Sequence, residues 1–159
     1  MTAWTPPQSL RVKVLGLARR GNRYLVADVL RNDGTLKGVR PLGGSVEFGE
    51  TRETALVREF AEELGAIATL QGGWAVIENI FDHEGAIGHE IIFVASVDLA
   101  GLPPPGPDGV IPFMEGDMPG RARWMSLSEV ATAGLAFYPT GLAALIESGG
   151  FPVTDKACP

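Results

Sequence analysis

Residues 44–66 read GSVEFGETRETALVREFAEELGA. From Thr51 to Leu64 the apolar residues Leu56, Val57, Phe60, Ala61 and Leu64 fall within about 140° of a helical wheel. This span is therefore expected to be an amphipathic helix, with Gly65 as the residue that stops it. The opposite side carries Glu59, Glu62 and Glu63 at i, i+3 and i+4, within an arc of about 100°. Like charges at these spacings cost ~0.2–0.5 kcal/mol per pair and lie at the wrong end for the helix dipole. Arg58 reaches Glu62 at i+4 but cannot balance three carboxylates. The ordinary reading of a Glu-rich helix is a solvated acidic face. The alternative is a divalent-cation site, because Mg²⁺ or Mn²⁺ needs clustered oxygen ligands.

The residues just ahead favour the alternative. Gly43-Gly44 closes a strand, Ser45 to Gly49 forms a loop, and Glu50 with Thr51 opens the helix. Backbone N–H groups at a helix start, beside a Gly pair that permits close approach, suit a phosphate group. Carboxylates for a metal and backbone for a phosphate, one helix apart, point to a metal-chelated diphosphate.

Strand patterns dominate the flanks. Arg11–Ala18 and Tyr24–Leu30 are expected to pair as a hairpin about Gly21-Asn22, and Gly38–Leu42 forms a short strand. Trp74–Phe81 and Glu90–Val97 are two more strands, joined by a polar loop from Asp82 to Gly88. Arg121–Met125 is a last short strand after a loop from Met114 to Gly120. Ser126–Ala131 opens on a capping box with Glu129, and Tyr138–Glu147 is a final helix begun by Pro139. Strands interleaved with few helices give an α/β (α+β) sandwich on a mixed sheet. Loose ends are expected over 1–8 and 149–159, around one domain at 9–148.

The 159 residues carry 13 Lys+Arg, 19 Asp+Glu and a formal charge of −6, which argues against a partner that is a nucleic-acid polymer. Six acids (Glu47, Glu50, Glu53, Glu59, Glu62, Glu63) against Arg52 and Arg58 place a net −4 of that charge within residues 47–63. One cysteine, Cys158, makes no internal disulfide, and the N-terminus has no signal-peptide pattern. The longest apolar run, Ile91–Val97, is far short of a membrane span. A cytoplasmic, membrane-free protein is expected.

Gly44, Glu50, Arg58, Glu59, Phe60, Glu62, Glu63, Gly65 and Ala66 stand in the spacing G-x5-E-x7-R-E-U-x-E-E-x-G-U, where U is a bulky aliphatic residue. This resembles the signature box of the Nudix hydrolases (MutT-like). Only Phe60, which is aromatic, and the small Ala66 depart from it. Arg40-Pro41-Leu42-Gly43-Gly44, the segment His89 to Val94, Arg123-Trp124-Met125-Ser126-Leu127 and Tyr138-Pro139 are similar to further family segments. The resemblance implies an α/β/α sandwich around a mixed sheet. It also implies divalent-metal-dependent hydrolysis of a nucleoside diphosphate derivative, NDP-X to NMP plus phosphorylated X, by water attack on phosphorus. Mg²⁺ is the implied cofactor, with Mn²⁺ as the alternative, and a small nucleotide the implied partner; dimers are common among relatives.

Carried over by position, Glu59 and Glu63 are the main metal ligands. Glu62 ligates directly or through water, and a carbonyl of Gly43 or Gly44 completes the set. Glu50 and Arg58 form a supporting pair. From its own place just before Gly43 and Gly44, whose backbone suits substrate phosphate, Arg40 is read as a further phosphate contact or, alternatively, as half of a structural ion pair. Glu115 is the candidate general base, ahead of Asp117, Glu84 and Glu90. His83 and His89 are read as surface histidines, and Trp74, Tyr24 and Phe81 as core. The competing readings are a nucleotide-binding regulator that keeps this fold without cleaving, and a purely structural acidic helix.

Overall fold

The computed structural model describes residues 3–149. Chain order is β1 (Leu10–Arg20), β2 (Arg23–Leu30), β3 (Leu36–Ser45), α1 (Arg52–Leu64), β4 (Ile67–His83), β5 (Ala86–Ala100), β6 (Ile111–Glu115), β7 (Met118–Ser126), α2 (Leu127–Thr132), β8 (Ala136–Phe137) and α3 (Leu142–Glu147). The strands form one mixed sheet in the order β4-β5-β1-β3-β2-β7-β6, with β8 on β3. The β1–β5 and β3–β8 pairs are parallel. The expected loose tail, Cys158 included, lies outside the described residues beyond Gly149, as do Met1 and Thr2. Among the described residues no helix is long and apolar enough to cross a membrane.

Two apolar layers flank the sheet. Leu56, Phe60 and Leu64 of α1 pack with Val14, Leu42, Val97 and Ile111 on one face. Val130 and Leu142, from the two short helices, pack with Leu17, Val26, Val39 and Val94 on the other. This is the expected α/β/α arrangement. The buried stripe of α1 is Ala55, Leu56, Phe60, Glu63 and Leu64. Val57 and Ala61, which the wheel placed in the stripe, face outward. The stripe is thus rotated toward the carboxylates, so that Glu59 and Glu63 border the core instead of opposing it.

The β1–β2 hairpin is real only beside its turn, at Arg19↔Tyr24 and Arg20↔Arg23. Beyond that the two strands diverge, because β3 serves both: Leu42–Ser45 pair with β1, and Leu36–Pro41 with β2. The sheet splits into two leaves at this point, and a cleft opens between them.

The β4–β5 hairpin is far longer than its apolar runs. The polar stretch expected as a loop is strand on both sides of a two-residue turn, where Glu84 (φ 51°) and Gly85 (φ 90°) take the left-handed pair that hairpins favour. The Gly72-Gly73 break is a bulge between Gln71 and Trp74 in a continuous strand. Strand β6 has no counterpart in the sequence reading because Pro112 interrupts its pattern; it is the sheet's edge, where a missing N–H is tolerated. The loop expected from Met114 to Gly120 is therefore a tight β6–β7 turn, and Glu115 stands on a strand end. Helix α3 starts at Leu142, after a cis Tyr138-Pro139 bond, and not at Tyr138.

Candidate active site

Thr51 caps α1 by accepting from the Thr54 N–H at 3.1 Å, and Gly65 ends it in the left-handed region at φ 63°. Between these caps, Arg58 holds a network together. Its Nε and Nη2 donate to the two Glu50 oxygens at 2.7 and 2.9 Å, and Nη2 also donates to the Ser45 carbonyl at 3.0 Å. Nη1 donates to Glu59 at 3.1 Å and to Glu62 at 3.2 Å. The bidentate guanidinium holds the Glu50 carboxyl down to about 2, and the Glu47 N–H adds to this. Arg58 therefore ties the loop after β3 to the carboxylate face of the helix.

The Gly pair lies within β3, and each glycine is required for its own reason. A Cβ on Gly43, which has φ 155°, would stand 1.9 Å from the Val14 carbonyl oxygen. On Gly44 it would stand 2.2 Å from the Glu59 carboxylate. Glu59 thus rests directly on the Gly44 backbone.

Glu63 is 9% exposed and its pKa is pushed up to about 8. Burial is the first cause; Arg40 opposes it, while the charges of Glu115 and Glu59 and a hydrogen bond with Glu59 reinforce it. Glu115 reaches the group from β6, and Arg40 donates to it at 2.9 Å. The structure thus brings together Glu50, Arg58, Glu59, Glu62, Glu63, Gly43, Gly44, Arg40 and Glu115. Among the described residues no three His, Cys, Asp or Glu side chains converge on one point; Glu62 is drawn to Arg58 and is 62% exposed. The donor set nevertheless fits a hard divalent cation. Burial and the neighbouring acids favour a protonated Glu63 beside Glu59, and a cation bound by the two would replace that proton.

Next to these carboxylates, and lined in part by Arg40 and Glu115, the split sheet encloses a cavity of about 670 Å³. Its lining includes the charged Arg11, Lys13, Arg40, Glu90 and Glu115 and the rings of Trp4, Phe81, His83 and Tyr138, with the Arg11 guanidinium 5.4 Å from the Trp4 ring centroid. Glu90 is buried and ion-paired with Arg11. His83 is buried at 6%, not a surface histidine: Lys37 Nζ lies 3.3 Å from its Nδ1 and Asn32 Oδ1 3.3 Å from its Nε2. Trp4 stands edge-on to it, with ring centroids 5.5 Å apart. His89 is exposed as expected, and Tyr24 is core. Phe81 is a cavity-wall residue seated on Gly88, where a Cβ would stand 2.3 Å from the ring. Of the alternative bases, Glu84 accepts from the Asn32 N–H at 2.7 Å, and Asp117 occupies the β6–β7 turn.

Sequence reasoning missed Arg11 and Lys13. An alternating strand reads as core on one side and solvent on the other, and nothing local says that the second side lines a cleft.

The chain matches the NUDIX domain family model over residues 8–144. Among solved structures it is similar to the E. coli ORF135 protein, with TM-score 0.60 and 22% identity over 89% of this chain and 90% of that one. It is also similar to a NUDIX hydrolase from Nitrosomonas europaea, with TM-score 0.63 and 19% identity over 89% of each chain. A third is the MutT NUDIX hydrolase from Burkholderia pseudomallei, with TM-score 0.55 and 23% identity over 87% of this chain and 95% of that one. At these identities the structural likeness establishes the fold. No curated protein matches the chain at a significant level.

Proposed function

The chain belongs to the NUDIX domain family and is an enzyme of the Nudix pyrophosphohydrolase kind; from that premise we propose that it hydrolyses the diphosphate linkage of a nucleoside diphosphate derivative, NDP-X, to NMP and phosphorylated X, by water attack on phosphorus with Mg²⁺ or Mn²⁺. The observation that carries this reading is the buried Glu63, hydrogen-bonded with a Glu59 carboxylate that rests on the Gly44 backbone of β3. Glu59 and Glu63 would hold the cation, with Glu62 released from Arg58 to join them and the Gly44 carbonyl as a further oxygen. When bound, the cation supplies neutralisation of diphosphate charge and activation of water.

The chain's own residues do the rest. Arg58 and Glu50 fix the ligand carboxylates, a supporting role that typically matters 10–100-fold in affinity or activity. Arg40, with the Gly43–Gly44 backbone, meets substrate phosphate. Glu115 is the candidate general base: it is half-exposed at a strand end, and a substrate phosphate can take over its Arg40 partner. The catalytic unit spans residues 9–148, and the reaction takes place in the cytoplasm on free nucleotides.

A phosphate-release screen with Mg²⁺ and Mn²⁺ tests this reading. The substrates are nucleoside triphosphates, ADP-ribose, dinucleotide polyphosphates and nucleotide sugars. Release from at least one class is expected, falling at least 10³-fold in Glu63→Gln and sharply in Glu62→Gln while both stay folded. Equal turnover in both variants, or none by the wild type on any class, sinks the assignment.

A further inference from the structure

The cavity lining holds three cations from neighbouring strands: Arg11 and Lys13 on β1, and Arg40 on β3. Two are neutralised where they stand, Arg11 by Glu90 and Arg40 by Glu115. The Lys13 side chain makes no hydrogen bond and no ion pair among the described residues, although the charges of Arg40, Glu90, Glu115 and Arg11 act on it. Burial is the largest effect on its ammonium and Arg40 the next, and both disfavour its charge; Glu90 and Glu115 support it. A half-buried, partnerless ammonium beside two guanidinium groups is unfavourable in the free protein. Its place in the cavity lining makes it available to a ligand, and an anion is the ligand that removes the cost.

Position narrows the anion. Arg40 lines the cavity and acts electrostatically on both Lys13 and Glu63, so the carboxylate site and the cavity adjoin at this residue. We propose that the Lys13 ammonium docks a phosphate oxygen of the substrate, on the cavity side of Arg40, adjoining the diphosphate held at Glu59 and Glu63. The proposal rests on the pyrophosphohydrolase reading above and deepens it. It makes Lys13 a substrate-binding residue and directs the nucleoside into the cavity toward Trp4, Phe81 and Tyr138. A neutral base carbonyl is the competing occupant, but it would leave the charge of Lys13 uncompensated.

The test compares wild type, Lys13→Met and Lys13→Arg. Binding of ADP, CDP and inorganic pyrophosphate is measured by calorimetry with Ca²⁺, and steady-state kinetics on whichever substrate the screen yields. Lys13→Met is expected to weaken all three ligands at least tenfold and to raise KM more than it lowers kcat. It should also raise the ligand-free Tm, because an unfavourable charge is gone; a merely structural lysine would lower it. Lys13→Arg should restore most of the binding.

Unchanged affinity in Lys13→Met overturns the proposal. So does a loss confined to one base with pyrophosphate unaffected, which would assign Lys13 to base reading, and so does wild type that binds none of the three ligands. The two readings fail separately. Hydrolysis with a normal KM in Lys13→Met defeats only the Lys13 assignment. Lys13-dependent binding without hydrolysis of any class defeats only the enzymatic one.

Discussion

Arg58 is one side chain that answers to three carboxylates and a carbonyl at once, at 2.7 to 3.2 Å. Its planar fork fits Glu50 bidentately, which a lysine cannot reproduce. Arg58→Met is expected to destabilise the protein by about 1–3 kcal/mol, the usual size for losing charge-assisted bonds and leaving partners unpaired. It should also lower turnover, since Glu59 loses its tether, and Arg58→Lys should recover only part of either; denaturant midpoints and kcat together check this. The same pair sets an acid limit. The Glu50 carboxyl lies at about 2 in the folded chain against an ordinary 4.5, so its contribution is complete above 4.5 and lost as pH falls through about 2. The stability difference between wild type and Glu50→Gln should therefore shrink across that window and vanish near pH 2. The residues of this network stand at fixed spacings within a short stretch, which is why they were legible in the sequence.

At the scale of elements, the two glycines of β3 separate folding from chemistry. A Cβ at Gly43 meets a backbone carbonyl that cannot swing aside, at a φ that L residues rarely adopt. Gly43→Ala is therefore expected to lower Tm markedly or prevent folding. A Cβ at Gly44 meets only the end of the Glu59 side chain, which can move. Gly44→Ala should keep its circular dichroism and most of its Tm while losing turnover tenfold or more. Equal loss of stability in both variants would refute the distinction. Local pattern revealed α1, the α2 capping box and the existence of most strands, because caps and periodicity act over a few residues. It mistook the extent of β4 and β5, where Asp82, His83 and Glu84 look like loop until the opposite strand supplies their partners. It missed β6 because the tolerance of Pro112 depends on a sheet edge that only the fold defines.

For the whole molecule, the sequence put the negative charge in one segment but could not show what stood across from it. The cleft, with Lys13 and Arg11 in its lining, exists because β3 divides its pairing between β1 and β2, a relation spread over some thirty residues of chain. The two charged regions meet at Glu63, and that meeting has a global consequence for the metal-free protein. Glu63 titrates at about 8 in the folded chain against an ordinary 4.5, so between those values the native state keeps a proton that the unfolded state has released. Stability from this group is fully present below 4.5 and drains away as pH rises through about 8. Metal-free wild type should therefore lose Tm from pH 5 to pH 8, and Glu63→Gln, which needs no proton, should lose less. A divalent cation binds the form that has given up the proton, so its stabilisation should grow with pH. Differential scanning fluorimetry with EDTA, Mg²⁺ and Mn²⁺ at both values tests this: a metal-induced rise in Tm at pH 8 that exceeds the rise at pH 5 and disappears in Glu63→Gln is expected, and a rise equal at both pH values would remove Glu63 from the cation site.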